Sequence, residues 1–177
     1  MRSFIAIDIP EEIKEKIMMV AKELEEKIKG NAKFVERENL HITLKFLGEI
    51  EENKVQEIKK IINSISISPF RIKLRGIGVF PNENFIRVIW IGGESKELEK
   101  IVDHLNKELE KNLKIRTEEQ KFTIHLTIAR VKSKINISDF LDKYKNYEFG
   151  EFEVSDINQI KLKKSTLTPK GPIYEDL

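Results

Sequence analysis

Two short apolar runs, Leu40–Phe46 (LHITLKF) and Ile124–Arg130 (IHLTIAR), each carry His-x-Thr followed by another apolar residue. Apolar and polar positions alternate over about seven residues, the period of a half-buried strand. Side chains two apart on a strand share a face, so His41 and Thr43 point one way and Leu40, Ile42, Leu44 and Phe46 the other. His125 and Thr127 repeat this, backed by Ile124, Leu126 and Ile128. One such copy alone reads more readily as a structural His satisfied by a backbone carbonyl. Two copies weaken that reading, because the chain has only three His and two of them sit in matching strands.

Two imidazoles suit the opening of a cyclic phosphodiester. One group must take a proton from water or a hydroxyl, and another must protonate the departing oxygen. Attack and departure lie roughly in line across phosphorus, so the two proton handlers belong on opposite sides of it. Histidine does either job near neutrality, because its ordinary pKa is about 6.5. Thr43 and Thr127 can donate hydrogen bonds to the non-bridging phosphate oxygens. Arg130 is the natural cation, but strict alternation places it opposite His125, so it reaches a phosphate only if the strand bends near Ala129. Lys45, on the His41 face, is a second candidate cation. Phe46 and Phe80 are candidates for stacking on a base, set against ordinary core packing. The basic faces Arg71/Lys73/Arg75 and Lys161/Lys163 could follow an RNA backbone or be solvated sheet faces. The third His, His104, falls off the apolar stripe of its helix and reads as a surface residue.

The elements around these strands follow from periodicity. Phe4–Ile9 is a nearly continuous apolar run, as in a strand buried on both faces. Pro10 suits a helix start, the stripe Ile13 to Ile28 has helical spacing, and Gly30 is a stop. A second helix is expected over 51–63. Two strands, 70–80 and 85–91, form a hairpin, with a bulge at Gly76 where the apolar phase changes. A third helix carries Leu98 to Leu109, and 113–121 reads as a loop or short edge strand. A short helix near Phe140, with Ser138 as its cap, precedes strands at 147–154 (bulged at Gly150) and 157–164. The tail 165–177 should be extended. The order is β-α-β-α-β-β-α-β-α-β-β, with an amphipathic helix and a strand pair after each His-x-Thr strand.

Composition narrows the classes. The 177 residues suit one domain spanning 1–177. Net charge is +2, so no overall basic excess announces nucleic acid. Absence of Cys excludes disulfides, thiolate metal sites and Cys nucleophiles. No apolar run of about eighteen residues occurs, and Met1–Pro10 lacks a signal-peptide pattern, so a cytoplasmic protein without membrane contact is expected. Abundant Lys, Glu and Ile without Cys fits a heat-adapted source.

The segments MRSFIAIDIP, HITLKFLGE, GIGVFP, RVIWIGG, HLTIARV and KSTLTPKGPIYE together resemble the 2H phosphoesterases, and among them the RNA 2′,3′-cyclic phosphodiesterases, also called 2′-5′ RNA ligases. The resemblance runs nearly end to end. It implies an α+β fold of two pseudo-symmetric lobes, each an antiparallel-rich sheet with helices packed outside, facing a central cleft. It implies metal-independent hydrolysis of RNA 2′,3′-cyclic phosphate ends to 2′-phosphates without a cofactor, with His41 as proton donor, His125 as acceptor and Arg130 completing an HxTxxR pattern like the family's; Thr43, Thr127 and Phe46 are the further substrate-binding candidates from the strand reading above. The residues themselves do not assign the direction of proton flow. RNA ends, tRNA-derived ones included, are the expected partner of a monomer, with ATP or GTP binding left open. Alternatives are another ester (a 2′-5′ oligoadenylate linkage or small cyclic nucleotide), an RNA-binding module with lapsed catalysis, and a metallohydrolase. The last is poorly served by two His with no nearby carboxylate in either motif.

Overall fold

The computed structural model describes residues 1–177. The apolar run at the start becomes β1 (Arg2–Asp8), with Phe4 to Ile7 fully inside. The Pro10 carbonyl accepts from the Ile13 and Lys14 amides and opens α1 (Glu11–Ile28), whose stripe Ile13, Ile17, Val20, Leu24 and Ile28 is buried. Gly30 then turns the chain at a φ of 84°, where a Cβ would be strained. A short edge strand, β2 (Ala32–Phe34), leads through a single 3-10 turn into the first motif strand, β3 (His41–Glu49).

The remaining elements are α2 (Val55–Asn63), β4 (Phe70–Asn82), β5 (Phe85–Glu94), α3 (Lys96–Leu113), β6 (Ile124–Val131), α4 (Ser138–Tyr144), β7 (Glu148–Val154), β8 (Ile160–Thr168) and β9 (Gly171–Asp176). Bulges fall beside Gly76 and Gly150, as their phase breaks require. Three details differ from the sequence reading. Residues 32–34 pair as a strand along β6, and the tail folds back on β8 as β9. Ser138 lies inside α4 instead of capping it, and Asn136 accepts from the Ser138 amide and hydroxyl.

Two antiparallel sheets result, ordered β3-β1-β8-β9 and β2-β6-β5-β4-β7. In each, the motif strand lies beside the strand that precedes it through an 18-residue helix: β1-α1-β3 and β5-α3-β6. The spatial repeat therefore has its helix before the motif. The helix and strand pair that follow β3 exist, but β4 and β5 build the other sheet. The helices lie outside, crossed over between sheets. α1 runs behind the five-stranded sheet, touching both of its edges, β2 and β7, while α2 and α3 pack on β8 and β3 of the four-stranded one. A helix meeting both edges requires that sheet to curl around it. A single cluster of 41 buried residues draws on both sheets and all four helices.

Candidate active site

β3 and β6 pack side by side without pairing in a ladder, and the same irregularity occurs in both. Ile5 of β1 faces Lys45 and Ala6 faces Thr43, which leaves Leu44 as an extra residue. Ile89 of β5 faces Ala129 and Trp90 faces Thr127, which leaves Ile128 as an extra residue. An extra residue inverts the alternation beyond it. From His41 and from His125 the burial order is identical, with two successive inward residues (Leu44–Lys45, Ile128–Ala129) and then an exposed one. Phe46 and Arg130 thereby join the face of the His and Thr.

Three expectations change as a result. Arg130 reaches the cleft because the strand is bulged at Ile128–Ala129. Phe46 is not on the core face: it is 66 % exposed at the cleft mouth. Lys45 leaves the His41 face and is buried; its ammonium donates to the Arg116 carbonyl at 2.7 Å and to the Glu118 carboxylate at 2.8 Å. That ion pair pins the irregular 114–123 segment onto β3.

His41 is held at both ring nitrogens. Nδ1 donates to the Asn39 carbonyl at 2.6 Å, and Nε2 lies 2.9 Å from the Thr43 hydroxyl. A carbonyl can only accept, so the proton of the neutral ring resides on Nδ1 and Nε2 faces the cleft. Phe4 lies against the ring at 5.0 Å and Tyr174 edge-on at 5.2 Å. Burial pushes the His41 pKa down; the Asn39 carbonyl and the Asp8 charge act upward and Lys163 downward, and the net shift is down.

His125 is set differently. Trp90 lies 4.3 Å from its ring and Phe80 meets it edge-on at 4.8 Å, while the Thr123 hydroxyl is 3.4 Å from either nitrogen, too long to fix the ring. Burial alone lowers its pKa. The Trp90 indole lies across Gly78, where a Cβ would overlap it, and beside Gly92. Its N–H is buried without a partner.

A cavity of about 390 Å³ opens between the sheets, lined by His41, Phe46, Ser165 and Tyr174 from one and Arg130 from the other, with Arg2 and Phe4 at its back. Below His41, Lys161 and Lys163 bridge Asp8 and Asp176 at 2.6–3.2 Å. These lysines are committed to carboxylates and form no free basic track. Burial would raise the Asp8 carboxyl, but the two lysine hydrogen bonds outweigh it and hold it below its usual range. Arg71 and Lys73 likewise pair with Glu151 and Glu148 of β7. His104 is exposed on α3. No three His, Asp or Glu side chains converge in a way that could hold a metal ion.

Sequence reasoning does not single out Tyr174, Trp90 or Phe4. Trp90 is discoverable, since it alternates with the buried Ile89 and Ile91 and must face the other way. Tyr174 is not, because only the pairing of β9 with β8 brings it to His41.

A family model described as LigT like Phosphoesterase matches residues 7–90 and 93–174, each stretch holding one His-x-Thr. The RNA 2′,3′-cyclic phosphodiesterase of Methanocaldococcus jannaschii is 51 % identical over 178 residues, covering 99 % of this chain and 97 % of that protein. A solved structure from Thermus thermophilus superposes with a TM-score of 0.86 at 30 % identity, over 100 % of this chain and 95 % of that one. Escherichia coli LigT complexed with 3′-AMP is similar in fold, with a TM-score of 0.77 at 23 % identity over 99 % and 94 % of the two chains.

Proposed function

The chain belongs to the LigT-like phosphoesterase family, and we propose that it hydrolyses the 2′,3′-cyclic phosphate at RNA ends to a 2′-phosphate by paired histidine acid–base catalysis. The observation that carries this is the repeated bulge, which turns Phe46 of one sheet and Arg130 of the other onto the faces that hold His41–Thr43 and His125–Thr127, with His41, Phe46 and Arg130 lining one cavity. Relatives that are named RNA 2′,3′-cyclic phosphodiesterase, at up to 51 % identity, support the substrate class.

The proton flow rests on the unequal surroundings of the two rings. Burial and Lys163 disfavour the His41 cation, while the carbonyl on Nδ1 and the Asp8 charge favour it, and on these two partners His41 is assigned the proton to be donated. His125 has no such partner, and burial disfavours its cation, so it is assigned the base. Water loses a proton to His125 and attacks phosphorus; the 3′-oxygen leaves with a proton from His41 Nε2. With substrate bound, the His41 Nε2–H turns from Thr43 to the 3′-oxygen, and the Thr43 hydroxyl donates to a non-bridging phosphate oxygen. Thr127 serves the same oxygens from the other lobe, and Arg130 offers a bidentate fork for the charge. The cavity beside His41 takes the ribose, and Phe46 at its mouth stacks on the base. E. coli LigT, similar in fold, has been solved in complex with 3′-AMP, which is in keeping with nucleotide binding by this fold. With a 5′-hydroxyl in place of water the same groups join two ends through a 2′-5′ linkage, and reversal exchanges their roles.

His41→Ala and His125→Ala each remove one proton handler, typically worth ~10²–10⁴ in rate. The expected result is a loss of that order in kcat for either variant, with unchanged folding by circular dichroism. The double variant should be hardly slower than the worse single, because both act in one step. Fully multiplicative losses would mean separate steps and would defeat the proposal.

A further inference from the structure

The His125 side of the cleft is better furnished than hydrolysis requires. Water needs only the base, yet two aromatic rings flank it, and Phe80 is 42 % exposed. The surface continues along the β4–β5 hairpin. Phe80 lies opposite Val88, Pro81 opposite Ile86 and Asn82 opposite Phe85, with Arg87 as the extra residue. Ile86 is buried on the core side, so Phe85 faces the way Phe80 and Val88 do. Phe85 is 52 % exposed, and the Arg87 guanidinium lies over its ring at 4.8 Å. Val88 in turn stands opposite Arg130. A strip therefore runs from His125 past Trp90 and Phe80 to Phe85–Arg87, with Arg130 beside it across from Val88. That is the chemistry of a single-stranded nucleic-acid platform, which accepts any base because every base has a π-face.

We infer that this strip is a second nucleoside site, holding the RNA end whose 5′-hydroxyl takes the place of water. The inference rests on the acid–base assignment given under Proposed function, which puts the attacking oxygen beside His125 and the departing ribose beside His41. In the joining step the 5′-oxygen–phosphorus bond forms and the phosphorus–3′-oxygen bond breaks. The hydroxyl proton goes to His125 and the 3′-oxygen receives one from His41. The 2′-oxygen stays bonded, so a 2′-5′ diester results without any co-reactant. Reversed, the strip holds the nucleoside that departs when a 2′-5′ linkage is opened.

Trp90 is the only Trp in the chain and reports on the strip directly. The probe is a short single-stranded RNA with a 5′-hydroxyl and a 3′-deoxy end, titrated against Trp90 fluorescence. Saturable quenching is expected, with affinity lowered roughly tenfold or more in the Phe85→Ala/Arg87→Ala variant. The same variant should hydrolyse a mononucleotide 2′,3′-cyclic phosphate within about twofold of wild type, since one nucleotide fills only the His41 side. Absent quenching, or quenching that the variant does not weaken, overturns the second site. A parallel loss of mononucleotide hydrolysis also overturns it, by making the two residues structural. Failure of the wild-type protein to hydrolyse the mononucleotide would remove the acid–base reading on which the site depends.

Discussion

His41 is anchored through Nδ1 to the Asn39 carbonyl, whereas His125 has only the long Thr123 contacts and two aromatic walls. Burial disfavours the cation at both, so each titrates below the ordinary value of 6.5. On the proposed mechanism, turnover from the free enzyme needs one ring protonated and the other neutral. The kcat/KM profile should therefore be a bell with its peak on the acid side of pH 6.5. Asp8 acts upward on His41 and Lys163 downward. Asp8→Asn removes the first and leaves the second less compensated, so the peak should move further to acid. No movement, or an alkaline one, would mean that the carboxylate does not act on the donor. The same signs bear on stability. As pH falls below about 6.5 the unfolded chain takes up protons that the folded rings resist, and stability is lost until the folded pKa is passed.

The strands set which side chains can cooperate, and they explain what is legible in the sequence. Period-two alternation is a local property, so the faces of His41, Thr43, His125 and Thr127 can be read directly. The bulges beside Gly76 and Gly150 can also be read, because glycine marks them. The bulges at Leu44–Lys45 and Ile128–Ala129 carry no glycine and exist only through register with β1 and β5. Alternation therefore places Phe46, Lys45 and Arg130 on the wrong faces. Lys161 and Lys163 look free in the sequence because their carboxylate partners come from β1 and β9, the first of them far away in the chain. Edge strands β2 and β9 are short and depend on their neighbours, so their own residues announce little. Strand packing also supplies a sharp test at Gly78. A methyl there would overlap the Trp90 indole, which is itself wedged beside Gly92 and His125. Gly78→Ala should push the indole onto the His125 ring, destabilise by about 1–3 kcal/mol and cut kcat by roughly tenfold or more. A shifted Trp90 emission with intact kcat would show that His125 does not depend on this wall.

Across the whole molecule, two sheets of like topology each contribute one His-x-Thr strand, and a shared core holds them at fixed separation. In the proposed mechanism the pseudo-symmetry supplies two proton handlers, and the departures from it orient the ribose. β9 brings Tyr174 to His41, whereas the rings against His125, Trp90 and Phe80, come from the β4–β5 hairpin. The cavity proposed for the ribose adjoins His41, so the oxygen facing that donor should leave. A 2′,3′-cyclic phosphate offers two candidate leaving oxygens, and the isomer formed reports which one met the acid. The decisive measurement is phosphorus NMR of the product from a cyclic-phosphate-ended oligonucleotide, with EDTA present throughout. A 2′-phosphate end, formed at a rate EDTA does not change, is the result this account predicts. A 3′-phosphate end would place acid and base the other way round, and turnover lost to EDTA and restored by a divalent metal would contradict the paired-histidine mechanism itself.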